Sequence, residues 1–147
     1  MTISKKYLKN RILIILVVTF GFISCNNDDD DSNNCDQITI ISPEQYETAP
    51  NDLLFINSLE INGDCLKINF SSGGCSGDTW IIKLIDSESI MESNPPQRNL
   101  RVSLKNDEDC EALITKELTF DVSELKVDGN LVILNITNSN EQILYEY

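Results

Sequence analysis

Apolar residues recur at every second position along much of this chain, and that period constrains the fold more than any other feature. Across residues 65–71, Leu66, Ile68 and Phe70 alternate with Cys65, Lys67 and Asn69. Such alternation marks a strand with one face buried and the other in water. Leu100, Val102 and Leu104 repeat the pattern across 98–105, as do Leu118, Phe120 and Val122. Across 131–137, Val132, Leu134 and Ile136 share one face after a turn at Asp128, Gly129 and Asn130. Residues 37–41, 53–61, 79–86 and 142–147 are further β-rich runs set off by turn residues. Asn62-Gly63 between two apolar runs is a hairpin signal.

No segment keeps a 3.6-residue period over three turns. Residues 111–119 have a helical composition, but Ile114, Thr115 and Thr119 are β-branched and the run leads straight into a strand pattern. Seven or eight short strands separated by turns predict an all-β chain, an antiparallel β-sandwich of immunoglobulin-like or similar type. A small β-barrel is the alternative. The longest irregular stretch is 87–97, where Pro95 and Pro96 favour an extended chain outside any ladder.

The N-terminal segment reads as an address. Lys5, Lys6, Lys9 and Arg11 precede an apolar run over 12–23, too short for a membrane-spanning helix and suited to a secretory signal. The run ends in Phe22-Ile23-Ser24-Cys25, which resembles the lipobox of bacterial lipoproteins, with Phe22 where Leu is more usual. That resemblance implies a signal peptide over 1–24, cleavage before Cys25, and lipidation of its thiol, so that the acyl chains anchor the protein to a membrane. An ordinary secretory signal with a coincidental cysteine is the alternative. Residues 25–36 then form an acidic tether, because Asp28, Asp29, Asp30 and Asp31 repel one another and resist burial. The run is similar to the acidic export signal that places lipoproteins of the Bacteroidota on the outer face of the outer membrane. It lacks the spacing of a closed Ca²⁺ loop. A single folded domain is expected over 37–147.

Charge and composition exclude several function classes. The chain carries 11 basic and 24 acidic residues, a net charge of −13. All four charges of the leader are basic, so its removal takes the net charge to −17. Nucleic acid is therefore not an expected partner, since phosphate binding needs Lys and Arg. There is no histidine, which removes Ser-His-Asp and Cys-His nucleophiles and imidazole zinc sites. Beyond Cys25, four cysteines remain, an even number in an exported chain, and three pairings are open. We pair Cys75 with Cys110, both in polar loops at strand ends, and by elimination Cys35 with Cys65. No cofactor is expected.

Few residues suggest chemistry. The loop over 71–78 (SSGGCSGD) can point consecutive amides at an anion, but no helix or P-loop Lys follows, and a disulfide-pinned connection is the simpler reading. Asp107, Glu108 and Asp109 are weak candidates for a cation site beside that loop, and a solvated acidic loop is the alternative. Ser123 reads as a turn residue rather than an activated nucleophile. Trp80, Tyr46, Tyr145 and Tyr147 would form a sugar-stacking platform if they came together. Trp80, flanked by Ile81 and Ile82, reads more simply as core.

The run Ser72-Gly73-Gly74-Cys75, then Asn94-Pro95-Pro96-Gln97, then CEALITKEL over 110–118 and FDVSEL over 120–125 resembles small lipoproteins of the Bacteroidota. Relatives often carry an acidic residue and a His shortly after the GGC, where this chain reads Ser76-Gly77-Asp78. The resemblance implies the compartment and a Cys75–Cys110 bridge, and it transfers no functional residue. The expectation is a lipid-anchored module, surface-exposed on the outer membrane, that binds an unidentified protein or glycan and is not an enzyme. An envelope hydrolase built on carboxylates, or an inhibitor displaying the 87–97 loop, are the alternatives.

Overall fold

The alternating runs become strands whose apolar faces meet. A computed structural model describes residues 34–147, so the leader, Cys25 and the four aspartates lie outside the described residues. Nine strands are present among the described residues: β1 (Gln37–Ile38), β2 (Ile40–Ile41), β3 (Phe55–Asn62), β4 (Cys65–Gly74), β5 (Ile81–Met91), β6 (Gln97–Lys105), β7 (Ala112–Asp121), β8 (Leu131–Ile136) and β9 (Glu141–Glu146). Leu66, Ile68 and Phe70 of β4 are fully buried, as are Leu100, Val102 and Leu104 of β6 and Val132, Leu134 and Ile136 of β8. Phe120, Val122 and Tyr145 complete a single core. Burial of one such aliphatic or aromatic side chain contributes about 1.5–3 kcal/mol.

The strands form two sheets, ordered β1-β7-β4-β3 and β2-β5-β6-β8-β9. The β-sandwich is therefore the architecture, and the barrel alternative is not realised. Its sheets are mixed rather than purely antiparallel, because β1 and β7, β2 and β5, and β6 and β8 pair in parallel. Connectivity explains this. β7 leaves for the opposite sheet between β6 and β8, so β8 returns beside β6 running the same way.

The segment over 37–41 is not one strand. It splits at Thr39, with β1 on the edge of one sheet and β2 on the edge of the other. Asp36 fixes the start, since Thr119 donates from N and from Oγ1 to its Oδ2, each at 2.8 Å, and the Asp36 amide donates back to Thr119 Oγ1 at 2.8 Å. Cys35 is bonded to Cys65. Both residues, assigned by sequence to the end of the tether, are thus fastened to the sheet.

A short helix, α1 (Pro43–Thr48), interrupts the all-β pattern after β2. Ser42 caps it, its Oγ accepting from the Gln45 amide at 3.2 Å, with proline in the first turn. Arg101 meets the last carbonyls, donating to Tyr46 O at 2.7 Å, Gln45 O at 3.0 Å and Ala49 O at 3.1 Å. Two turns are too few to print a helical period in a sequence. The stretch 87–97 is also more ordered than expected. β5 continues to Met91 through a register shift between Asp86 and Ile90, and the Pro96 carbonyl accepts from the Ile133 amide at 2.9 Å.

At that shift, Asp86 (0% exposed) and Arg98 (6% exposed) form a buried two-point ion pair, Nε to Oδ2 at 3.0 Å and Nη2 to Oδ1 at 2.6 Å. Asp86 Oδ1 also accepts from the Glu88 amide at 2.7 Å. Removing one partner strands a charge in the core. Arg98→Ala is expected to lower the free energy of unfolding by about 3–5 kcal/mol. The paired Asp86→Leu, Arg98→Met variant should recover most of that loss, as read by urea denaturation.

Candidate functional site

The glycine loop does gather amides around an anion, and the anion is Glu108. β4 leaves its sheet at Gly74 and β5 enters the other at Ile81, while β6 and β7 are joined by a second crossing over 106–111. The Cys75–Cys110 disulfide ties these two crossings together. Beside it, the amides of Cys75 (2.6 Å), Ser76 (3.1 Å) and Gly77 (3.0 Å) all donate to Glu108 Oε2. Thr79 donates its hydroxyl to Oε1 at 2.9 Å. Gly77 sits at φ +71°, and a side chain there would meet Lys116 Cε at 2.6 Å. At Gly74 a Cβ would stand 2.6 Å from Glu108 Oε2 and 2.9 Å from Trp80 Cζ2. Glycine is thus required for the amides to close on the carboxylate.

The Gly77 amide foremost, with the Thr79 hydroxyl and the Cys75 and Ser76 amides, holds the Glu108 carboxyl at about 2, below its ordinary 4.5 and against the effect of burial. The acidic trio is therefore not assembled around a cation. Asp107 pairs with Lys105 at 2.8 Å, and Glu108 faces the amides. A lowered folded-state value means that the stabilisation is complete above about 4.5 and is lost as pH falls toward 2. Glu108→Gln should therefore lower Tm at neutral pH. The gap from the native chain should close between pH 4.5 and pH 2 in melts followed by circular dichroism.

The opposite end of the sandwich holds a second polar knot that the sequence did not announce. The Tyr145 hydroxyl, fully buried, donates to Asp64, and Lys126 Nζ stands 3.0 Å from Asp64 and over the Tyr145 and Tyr147 rings at 5.9 and 5.5 Å. Burial, then Asp64, pushes the Tyr145 phenol far above its ordinary value. Tyr147 Oη bridges the Val127 amide and carbonyl at 2.8 and 2.9 Å. The Cys35–Cys65 disulfide lies at this same end. Ser123 begins a 3-10 turn, its amide bonded to Asp121 Oδ1 at 2.8 Å.

The four aromatic candidates are dispersed. Tyr145 and Tyr147 meet at 4.9 Å with their rings tilted by 54° in the knot, Tyr46 of α1 bonds Thr137, and Trp80 packs on Phe70 at 6.3 Å. Trp80 is half-buried against the core, as read, yet it also lines an open groove of about 540 Å³ with Ile38, Ile40, Ile81, Ile82 and Lys83. Ile38 is 75% exposed and Ile81 51%. The sequence marked Trp80 but nothing in it joined these residues, because only the position of the β1–β2 crossing makes them neighbours.

No protein-family model matches the chain, and no curated protein does. The fold itself has counterparts. A NigD-like immunity protein from Bacteroides caccae superposes with a TM-score of 0.51 at 10% identity, covering 74% of this chain and 59% of that one. A DUF1344 protein of unknown function from Bacteroides vulgatus gives a TM-score of 0.49 at 17% identity, covering 76% of this chain and 55% of that one. The chain spans less than two thirds of either structure's length, and at these identities the likeness concerns the fold.

The disulfides can be mapped chemically. Cleavage after Lys and Glu without reduction should release two bridged species, Cys35 with Cys65 and Cys75 with Cys110. A species joining Cys65 to Cys110 would contradict the fold.

Proposed function

We propose that this chain is a lipid-anchored accessory module of the bacterial envelope, displayed on the outer surface, and that it works by binding another protein. The observation that carries the reading is the exposed apolar groove at one edge of the sandwich. A groove that leaves Ile38 and Ile81 in water is a binding feature more than a stabilising one. A protein is favoured over a glycan because Tyr145 is buried and Trp80 and Tyr46 lie apart from the Tyr145–Tyr147 pair, so the four candidates give no shared stacking face.

The competing readings lose their parts. A carboxylate hydrolase needs one carboxyl raised in an apolar pocket, whereas Glu108 is pulled down by amides and Asp86 is spent on Arg98. Loop display needs Pro95 and Pro96 to project, whereas both are half-buried and Pro96 joins β8. The anchor rests on Cys25 and the leader preceding it, and the outward address on the aspartates after it. Immunity, the role printed for the NigD-like protein, is the form of accessory function to test first.

Two measurements check this reading. Protease added to intact cells should degrade the protein, and survival until lysis would place it on the periplasmic side. Cross-linking on intact cells should yield a protein adduct with cross-links near residues 37–40 and 80–83. Adducts confined to lipopolysaccharide would replace the protein partner with a glycan.

A further inference from the structure

The groove lies along an unfinished strand edge. β5 has β6 on one side, and on the other it has β2, which pairs with Ile85 and Asp86 alone. Four residues of β5, 81–84, extend beyond β2 on that side. The direction of their backbone groups follows from the neighbours. In β6, Val102 and Leu104 stand opposite Leu84 and Ile82. Val102 gives its amide and carbonyl to the Asn138 side chain, at 3.2 and 2.9 Å, and the Leu104 carbonyl accepts from the Asp52 amide at 3.1 Å. Both therefore turn away from β5, which makes these non-hydrogen-bonded pairs of the antiparallel ladder. Ile82 and Leu84 accordingly turn their own backbone groups away from β6, toward the open edge. Asp86, two residues on, does the same and gives its carbonyl to the Ser42 amide at 3.1 Å.

Three further observations meet at this edge. Alternation sets Ile82 and Leu84 on the core side and Ile81 and Lys83 on the other, so an added strand would find a buried apolar row on one face and an exposed isoleucine beside an ammonium on the other. Lys83 is the one lysine among the described residues with no recorded carboxylate partner, its bond going to Gln45 Oε1 at 3.2 Å. Five of the other cations are paired with carboxylates, and Arg101 holds the end of α1. Finally, the buried side-chain polar atoms without a partner among the described residues are Thr39 Oγ1 and Trp80 Nε1, both in segments that frame the groove.

We propose that this edge is completed by an extended segment of a partner protein, laid beside residues 81–84 as a continuation of the ladder that β2 begins, with alternate apolar side chains in the groove and a carboxylate at Lys83. The inference rests on the accessory-module reading and gives it a mode of recognition, strand addition. A second copy of this chain is a poorer occupant, because it brings a strongly acidic surface and its own Lys83 to the same edge.

The test uses the unlipidated full chain and three capped hexapeptides: alternating Val and Glu, alternating Val and Lys, and the Val/Glu peptide with alternate amides N-methylated. The Val/Glu peptide should slow hydrogen exchange at the Ile82 amide, and the N-methylated form should not, because it cannot extend a ladder. Lys83→Glu should weaken the Val/Glu peptide by about five- to ten-fold and favour the Val/Lys peptide. Ile81 is half exposed, so Ile81→Asp should leave Tm unchanged while weakening binding. If a variant fails to fold, the comparison between methylated and unmethylated peptides on the native chain decides alone. No slowing at millimolar Val/Glu peptide, equal binding of the N-methylated peptide, or a dimer of the native chain that already protects Ile82 would each overturn the proposal. A cross-linked partner protein held equally well by the Ile81→Asp, Lys83→Glu chain would overturn the groove and leave the accessory reading standing.

Discussion

The chain changes sheet between β1 and β2, β2 and β3, β4 and β5, β6 and β7, and β7 and β8. Holding those crossings is the constraint on which the rest of the structure depends. Each crossing lifts backbone out of a ladder, and its amides and carbonyls need other partners. At one end the amides over 75–77 are taken by Glu108, and the Asn106 side chain donates to the Gly73 carbonyl at 2.7 Å. At the other, Asp64 receives Tyr145 and Lys126, and its carbonyl takes the Val122 amide at 2.9 Å. Each end pairs one carboxylate with one disulfide. The cross-link limits how far the crossings separate when the chain is unfolded. The carboxylate satisfies the donors that folding strands.

The same crossings decide which edges of the sandwich stay open. On one side β3 lies against β9, and the two sheets close on each other. On the other, both closing strands are two residues long and belong to a single pass of chain from Gln37 to Ile41. That pass covers β7 only at Phe120 and Asp121 and β5 only at Ile85 and Asp86. It is fixed where it stands by Asp36 on Thr119 and by Ser42 on Asp86. It cannot slide to cover more without giving up those bonds. The groove follows from where the chain is pinned, and short edge strands are a common means of limiting unwanted pairing.

The sequence made the core legible because alternation carries its own explanation. Leu66, Ile68 and Phe70 had to face one way, and the strand pairing followed. The two disulfides were legible for a similar reason: the cysteines sit where runs end. The parallel pairing of β6 with β8 was not, since nothing in either strand records that β7 departs between them. Nor was the break at Thr39, where five β-rich residues look continuous but obey two sheets. Helix α1 depended on a cap at Ser42 and an arginine in β6, 55 positions from Tyr46. The site behaved likewise. The glycine loop and the acidic trio were each visible, and their meeting depended on a disulfide that brings 75 beside 110.

A protein this acidic has few cations to spend, and their placement is informative. Lys67, Arg98, Lys105, Lys116 and Lys126 each sit within reach of a carboxylate and neutralise charge locally. The surface ion pairs among them contribute little individually, on the order of 0–1 kcal/mol, but they leave the surrounding field negative. Against that field an unneutralised ammonium beside exposed Ile81 is a local reversal of sign, and it sits where the backbone of β5 also lacks a neighbour. By the proposed mode of recognition, a carboxylate-bearing segment would meet repulsion over most of this surface and less of it at this edge. The excess of acidic residues thus leaves Lys83 as a local reversal of sign beside an open strand edge.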